Sequence, residues 1–436
     1  MSNTAYFKEH FDQMQRADKG SNLFNIREKA FNAFNLMGIP TTRNEEWKYT
    51  RINTMFTSEY QLDSADSPSP FTASEIEAMR LPGSAEANEL FFINGHYNQE
   101  LSAIRSRSLV VISLDEAAGN EYSGIVKKHF NHSESYLNDG INALNTAFIQ
   151  NGVFIHAQKK QVIEHPVYIY NITDARVSAV LSQPRSLVYL DEQAEIQIVE
   201  TYTSLGVSES MTNQVMEIVV EQGAQLYYYK IQNDSSFASQ VTSTHIRQVG
   251  KSEVHTVTIS LDGGIVRNNL HVIMEAPYSE SRLYGLYFQR KKTHIDNHTI
   301  VDNVAPNCLS NELYKGILDD KATGVFNGKV FVRKDAQKTN AFQSNRNVLL
   351  SDDATINAKP QLEIFADDVK CSHGCTVGSL DLEGLFYLQS RGIPYHTAIS
   401  LLLQGFAVDI LEKIKLPSIR EYVETLIAQR LTLKAS

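Results

Sequence analysis

The strongest constraint on what this chain can fold into is a short turn unit that keeps returning at a long interval. Glu-Gln-Ala194-Glu, Gln-Gly-Ala224-Gln, Gly-Lys-Ser252-Glu, Tyr-Ser-Glu280-Ser, Asp-Lys-Ala322-Thr and Asp-Asp-Ala354-Thr are separated by 30, 28, 28, 42 and 32 residues. A self-similarity near 30 residues, built from strands and tight turns, is what a solenoid requires, because each turn buries its face on the next. A sandwich or barrel places turns every roughly 8–12 residues without longer-range repetition. The 42-residue step breaks the pattern, yet the spacing still predicts a parallel β-helix.

The segments between the turns agree. Residues 186–190, 195–199, 216–220, 225–230, 253–260 and 328–332 alternate with period two and are rich in Val, Ile, Tyr, Phe and Thr. This texture runs from about Phe91 to Val377. On either side the spacing is helical. Leu23, Ile26, Ala30, Phe31 and Phe34 share one helix face, which Gly38 and Pro40 bring to an end. A polar, Pro-containing stretch at 64–71 reads as a surface loop or linker. Near the other end, a short helix from Leu382 closes at Gly392, and Pro394 opens a second with Ala398, Leu401, Leu402, Phe406 and Ile410 on its stripe. Pro417 opens a third carrying Ile419, Val423, Ile427 and Leu431. The 436 residues thus divide into a helical domain at 1–90, a β-helix core at 91–380 and a helical domain at 381–436.

Composition removes several classes of function. Lys and Arg number 40 against 50 Asp and Glu, a net charge of −10, so nucleic acid and anionic membranes are not expected partners. The most apolar stretch, 398–411, is interrupted by Gln404 and Asp409 and falls short of a membrane span. Three cysteines cannot frame a chain of this length with disulfides, so a reducing cytoplasm is the expected setting. There is no P-loop, no G-x-G-x-x-G opening a helix, no H-E-x-x-H and no G-x-S-x-G. Gly324-Val-Phe-Asn-Gly-Lys-Val330 has the wrong spacing for a phosphate loop. Any energy-driven step would need a nucleotide hydrolase supplied by another subunit.

The densest chemistry lies in Asp367-Asp-Val-Lys-Cys371-Ser-His373-Gly-Cys375-Thr-Val377. On a strand, alternate residues share a face, so Val369, Cys371, His373, Cys375 and Val377 fall on one side. A Cys-His-Cys row suits zinc, iron or a transient iron–sulfur species. Its members step apart by about 6.7 Å, so they cannot enclose one ion unless Gly374 bends the chain or a partner adds ligands. The plain alternative is an inward face holding two buried thiols and a hydrogen-bonded imidazole. A second cluster, His294, His298, Asp302 and then Cys308, admits metal binding, with a polar surface pair and a packing cysteine as the simpler account.

Ala366-Asp-Asp-Val-Lys-Cys-Ser-His-Gly-Cys-Thr-Val-Gly378 with Leu385-Phe-Tyr-Leu-Gln-Ser-Arg-Gly-Ile393 resembles the signature of the SufB/SufD family of iron–sulfur cluster assembly proteins. Asn297-His-Thr-Ile-Val, Leu313-Tyr-Lys-Gly-Ile317, Lys338-Thr-Asn-Ala and Pro360-Gln-Leu-Glu-Ile364 are similar to it as well. Arg43-Asn-Glu-Glu-Trp-Lys-Tyr-Thr50 resembles the SufD branch, and Leu388 stands where the SufB branch carries a cysteine implicated in cluster building.

The resemblance implies a right-handed parallel β-helix between helical domains. It implies a scaffold subunit, not an enzyme, that pairs with a SufB-like paralogue and binds a SufC-like ABC ATPase through its C-terminal helices. A transient iron–sulfur cluster would be shared with SufB and never held stably by this chain alone. The family's functional histidine falls on His373 and the neighbouring cysteine on Cys371, while Cys375, where Ala is commoner, is an optional ligand. Two other classes stay open: a β-helical enzyme acting on polysaccharide, and a structural homodimer without a metal role. Asp367 and Asp368 are adjacent and so point to opposite faces, which makes them a poor acid–base pair for the first.

Overall fold

A computed structural model describes residues 3–57, 60–62 and 71–432. The expected linker at 64–71 lies outside these residues apart from Phe71. The chain is mainly β, a parallel solenoid of about eight turns flanked by helices at both ends. Among the described residues there are two sheets, of 10 and 11 strands, and from Arg185–Leu190 to Thr355–Ala358 successive strands alternate between them. Every neighbouring pair is parallel except Asn88–Ile93 with His96–Ala103 and Leu109–Ser113 with Val153–Ala157.

The register explains the turn units. In the first sheet Gln225, Glu253, Glu280, Leu309, Asn340 and Lys370 stack directly on one another. The small residues just before them, Ala224, Ser252, Ser279, Cys308 and Thr339, form a buried corner column. Each corner carbonyl accepts from the strand-opening N–H of the next turn, as in Glu253 N to Ala224 O at 3.1 Å and Asn340 N to Cys308 O at 2.9 Å. Gly223, Tyr278, Asn307 and Lys338, just ahead of Ala224, Ser279, Cys308 and Thr339, take positive φ between 60° and 73°, as does Gln193 ahead of Ala194 at 59°. The 42-residue step arises because Ala322 and Ala354 belong to the opposite corner, where His294, Thr323 and Thr355 stack in the second sheet. Two interleaved columns of one period had merged in the sequence.

The flanking helices cover the outer faces. Asn3–Ala17 and Phe24–Met37 pack Phe7, Phe11, Phe31 and Phe34 against Ile141, Leu144 and Phe148 and, below, Met211 and Val241 of the second sheet. Gly140 opens the helix Gly140–Ala147 where a Cβ would lie 1.8 Å from Gly38 O, so no side chain fits that approach. Leu382–Ser390, Tyr395–Leu411 and Pro417–Thr432 follow the solenoid. The last two seat Leu403, Ala407, Ile410, Ile419, Val423 and Ile427 on Tyr229, Val257, Ile259, Leu286 and Ile317 of the first sheet. Leu401, expected on the buried stripe, is 45% exposed, because the stripe runs through Leu403 instead. Three short helices, Leu114–Gly119, Ser123–His129 and Gly140–Ala147, also interrupt the early β region.

Candidate functional site at the open end of the solenoid

Lys370–Gly378 is the last strand of its sheet and pairs on one side only, with Asn340–Leu349. The pairing runs from Asn340 with Lys370 to Val348 with Gly378 without a bulge, so Gly374 does not bend the strand. Cys371 sits over Ala341, His373 over Gln343 and Cys375 over Asn345. Ala341 belongs to the core that fills the lumen, and Cys371 packs against that core. Cys375 Sγ lies 3.7 Å from Oδ1 of the fully buried Asn345.

The Cys-His-Cys row therefore does point inward, as strand alternation requires, but it is not buried. Cys371 is half-buried while His373 and Cys375 are exposed, because no further turn covers them. The thiols of Cys371 and Cys375 are both pushed up from the ordinary cysteine value by partial burial. Among the described residues no three His, Cys, Asp or Glu side chains are grouped to hold a metal ion. On this straight strand the three side chains stand apart from one another, beneath an open mouth that no further turn covers. The same end exposes Phe342 (44%), Ile364 (40%) and Phe365 (58%).

The second cluster has a different task. His298 lies between Asp296 at 3.0 Å and Glu46 at 3.5 Å. Arg267 pairs with Asp296 at 2.9 Å and covers the Trp47 ring at 4.1 Å. Thr50 Oγ1 contacts both His294 and Asp296, Lys329 holds Glu46 at 2.5 Å, and Lys359 holds Glu45. Burial pushes the Asp296 carboxyl up, but His298 and Arg267 outweigh it and hold it below the usual range. The Glu46 carboxyl is lowered to about 2, chiefly by its hydrogen bond with His298. These groups strap residues 44–50 across the outer face of the second sheet. The strap walls a cavity of about 1120 Å³ whose cations Lys329 and Arg333 are already matched by Glu46 and Asp302. Cys308, 1% exposed, is a corner residue. Sequence spacing singled out the stretch from His294 to Asp302 but not its partners Arg267 and Glu46, the latter more than 200 residues away in the chain.

The C-terminal helices are pinned by Lys315, which reaches Asp409 at 2.5 Å and Phe406 O at 2.9 Å, by His255 to Lys413 O at 2.8 Å, and by Arg430 to Asp262 at 3.0 Å. Their outer surface leaves Leu382, Phe386, Tyr387 and Tyr395 at least half exposed. No helix among the described residues is long and apolar enough to cross a membrane.

A parallel solenoid ending in an exposed Cys-His-Cys strand, joined at once to a helical unit, defines the class. Residues 171–406 match the family described as SUF system FeS cluster assembly, SufBD core domain, and residues 1–169 match the SufBD protein N-terminal region. The chain belongs to the SufBD family of iron–sulfur cluster assembly proteins, and within it is SufD-like. It is 29% identical over 417 residues to an iron–sulfur cluster assembly SufBD family protein of Synechocystis sp., covering 93% of this chain and 91% of that one. To iron–sulfur cluster assembly protein SufD of Escherichia coli it is 28% identical over 396 residues, 90% of each chain. To SufD of Bacillus subtilis it is 26% identical over 330 residues, 72% of each.

Proposed function

We propose that this chain is the SufD-like scaffold subunit of a cytoplasmic SUF complex, and that its open solenoid end is where it meets a SufB-like paralogue. His373 and Cys371, with Cys375 as an optional third, then contribute ligands to a nascent iron–sulfur cluster that thiolates of the partner complete. The observation that carries this reading is the inward-pointing yet exposed row on an edge strand with one free side. Such an edge accepts a further strand, and the apolar Phe342, Ile364 and Phe365 beside it favour a partner that covers them. A SufC-like ABC ATPase docks on the exposed aromatic surface of the C-terminal helices and supplies the hydrolysis for which the chain has no P-loop. The division at about residues 90 and 380 follows the same roles, with the chain acting as a scaffold and not as an enzyme.

The test is reconstitution with SufB- and SufC-like partners. His373→Ala should abolish or sharply reduce iron and sulfide incorporation while the heteromer still assembles. A normal cluster yield overturns the ligand role. Size measurement of the isolated chain separates a homodimer built on the same open edge from a monomer awaiting its partner, and a homodimer that persists when the partners are added overturns the heteromeric reading.

A further inference from the structure

Just beneath the Cys-His-Cys row the lumen holds a buried acceptor without a partner. Glu312, Gln343 and His373 form one inward column, Glu312 in register with Gln343 and Gln343 with His373. Glu312 is 2% and Gln343 3% exposed. Nε2 of Gln343 donates to Oε2 of Glu312 at 2.7 Å. This bond turns the amide nitrogen toward Glu312 and the amide oxygen away from it. That oxygen, Oε1 of Gln343, is buried and meets no donor. Buried carbonyl oxygens are rarely left so without a reason. Across the lumen, a Cβ at Gly328 would stand 2.3 Å from Gln343 Nε2, so the facing sheet leaves room for this amide. The next inward side chain toward the mouth is His373, one strand spacing of about 4.8 Å away. His373 shares the lumen-facing side of its strand with Cys371 and Cys375 and stands directly over Gln343, so its imidazole is the nearest side-chain donor on that column toward the mouth.

We infer that Gln343, held by Glu312, is a positioning residue: its Oε1 accepts an N–H of His373, fixes the tautomer of that imidazole, and leaves the other ring nitrogen free at the mouth. Metal-ligating histidines are commonly oriented by an acceptor on their second nitrogen. The inference rests on the ligand role proposed above and adds the group that sets the ligand's protonation pattern. Gln343 is not itself a ligand. Burial raises the Glu312 carboxyl to about 7, and an oxygen of either its neutral or its ionised form accepts the amide N–H.

The experiment uses the full-length chain labelled with ¹⁵N-histidine, with the ring signals of His373 identified by their loss in His373→Gln. In the wild type one tautomer of His373 should dominate by about fivefold or more, the factor an ordinary net hydrogen bond gives. Gln343→Met should relax that ratio toward free imidazole. A ratio unchanged between wild type and Gln343→Met overturns the inference. If Gln343→Met does not fold, Glu312→Leu, which frees the amide to turn, is read against the same two outcomes. A normal cluster yield in His373→Ala together with an intact tautomer bias would instead remove the ligand role and leave the positioning contact standing.

Discussion

The ammonium of Lys315, with a side chain only 4% exposed, sits 2.5 Å from the carboxylate of Asp409, so one lysine of the solenoid wall holds the long C-terminal helix in place. Lys315 also donates to Phe406 O at 2.9 Å and lies 4.9 Å from the Phe406 ring centroid. Its strand, Leu309–Leu318, is two strands from the Cys-His-Cys strand in the same sheet. The anchor and the mouth are thus parts of one short stack.

Asp409→Ala leaves the Lys315 charge nearly dry, with a carbonyl as its remaining partner. The expected loss is about 1–3 kcal/mol, below that of a fully buried pair because Asp409 is 53% exposed. Lys315→Met, which removes the charge and keeps the stem, should cost less. Hydrogen exchange over 395–432 measures it: faster exchange there with an unchanged solenoid is expected, and equal exchange in wild type and Asp409→Ala counts against the anchor.

Trp47 is the chain's one tryptophan, and it lies under the strap. The Glu46 carboxyl is held at about 2 when folded against an ordinary 4.5, so its contribution is present above pH 4.5 and is lost as pH falls toward 2. Acidification through that window should therefore redden Trp47 emission before the strand ellipticity collapses. Glu46→Gln should show part of the red shift already at neutral pH. Simultaneous loss of fluorescence and ellipticity in both proteins would show that the strap does not open separately.

Burial raises all three thiols, so at neutral pH each holds less thiolate than a free cysteine. Alkylation by iodoacetamide, followed residue by residue in a mass spectrometer, should be fastest at Cys375, slower at Cys371 and slowest at the buried Cys308. Occupation of the mouth by a partner or a cluster should protect the first two and leave Cys308 unaffected. Equal protection of all three would argue for a general change in the fold.

Glu312 predicts a sloping pH profile. Its folded value of about 7 exceeds the ordinary 4.5, so the folded state keeps a proton that the unfolded chain has lost. Stability from this group accordingly falls as pH rises from about 4.5 to about 7 and then levels off, by up to about 3 kcal/mol. Glu312→Gln should flatten that slope in denaturant titrations across pH. An identical slope in the variant would place the titration elsewhere.

Much of the architecture was legible because a repeat writes itself into the chain. Ala194, Ala224 and Ser252 gave both the period and the corner, and the row from Cys371 to Val377 gave its own direction by strict alternation. Three things were hidden for physical reasons. The two corners carry the same small residues, so nothing local told Ala322 from Ser279. The helices at 114–147 are too short for a period to show, although Ser113 and Asp139 cap two of them as their residue types would suggest. Exposure of His373 depends on where the stacking stops, and no residue within the strand encodes that.

The end of the stack has one more consequence. Each turn of the solenoid offers its successor an equivalent edge, so the wall could be prolonged by a single added turn with little change to the turns below. Such a turn placed above Lys370–Gly378 would bury Cys371, His373 and Cys375 as filling, as Lys370–Gly378 itself buries Asn345 and Gln343 beneath it. The length of the solenoid, counted in turns, therefore decides what this row meets: it is exposed because the spiral halts there.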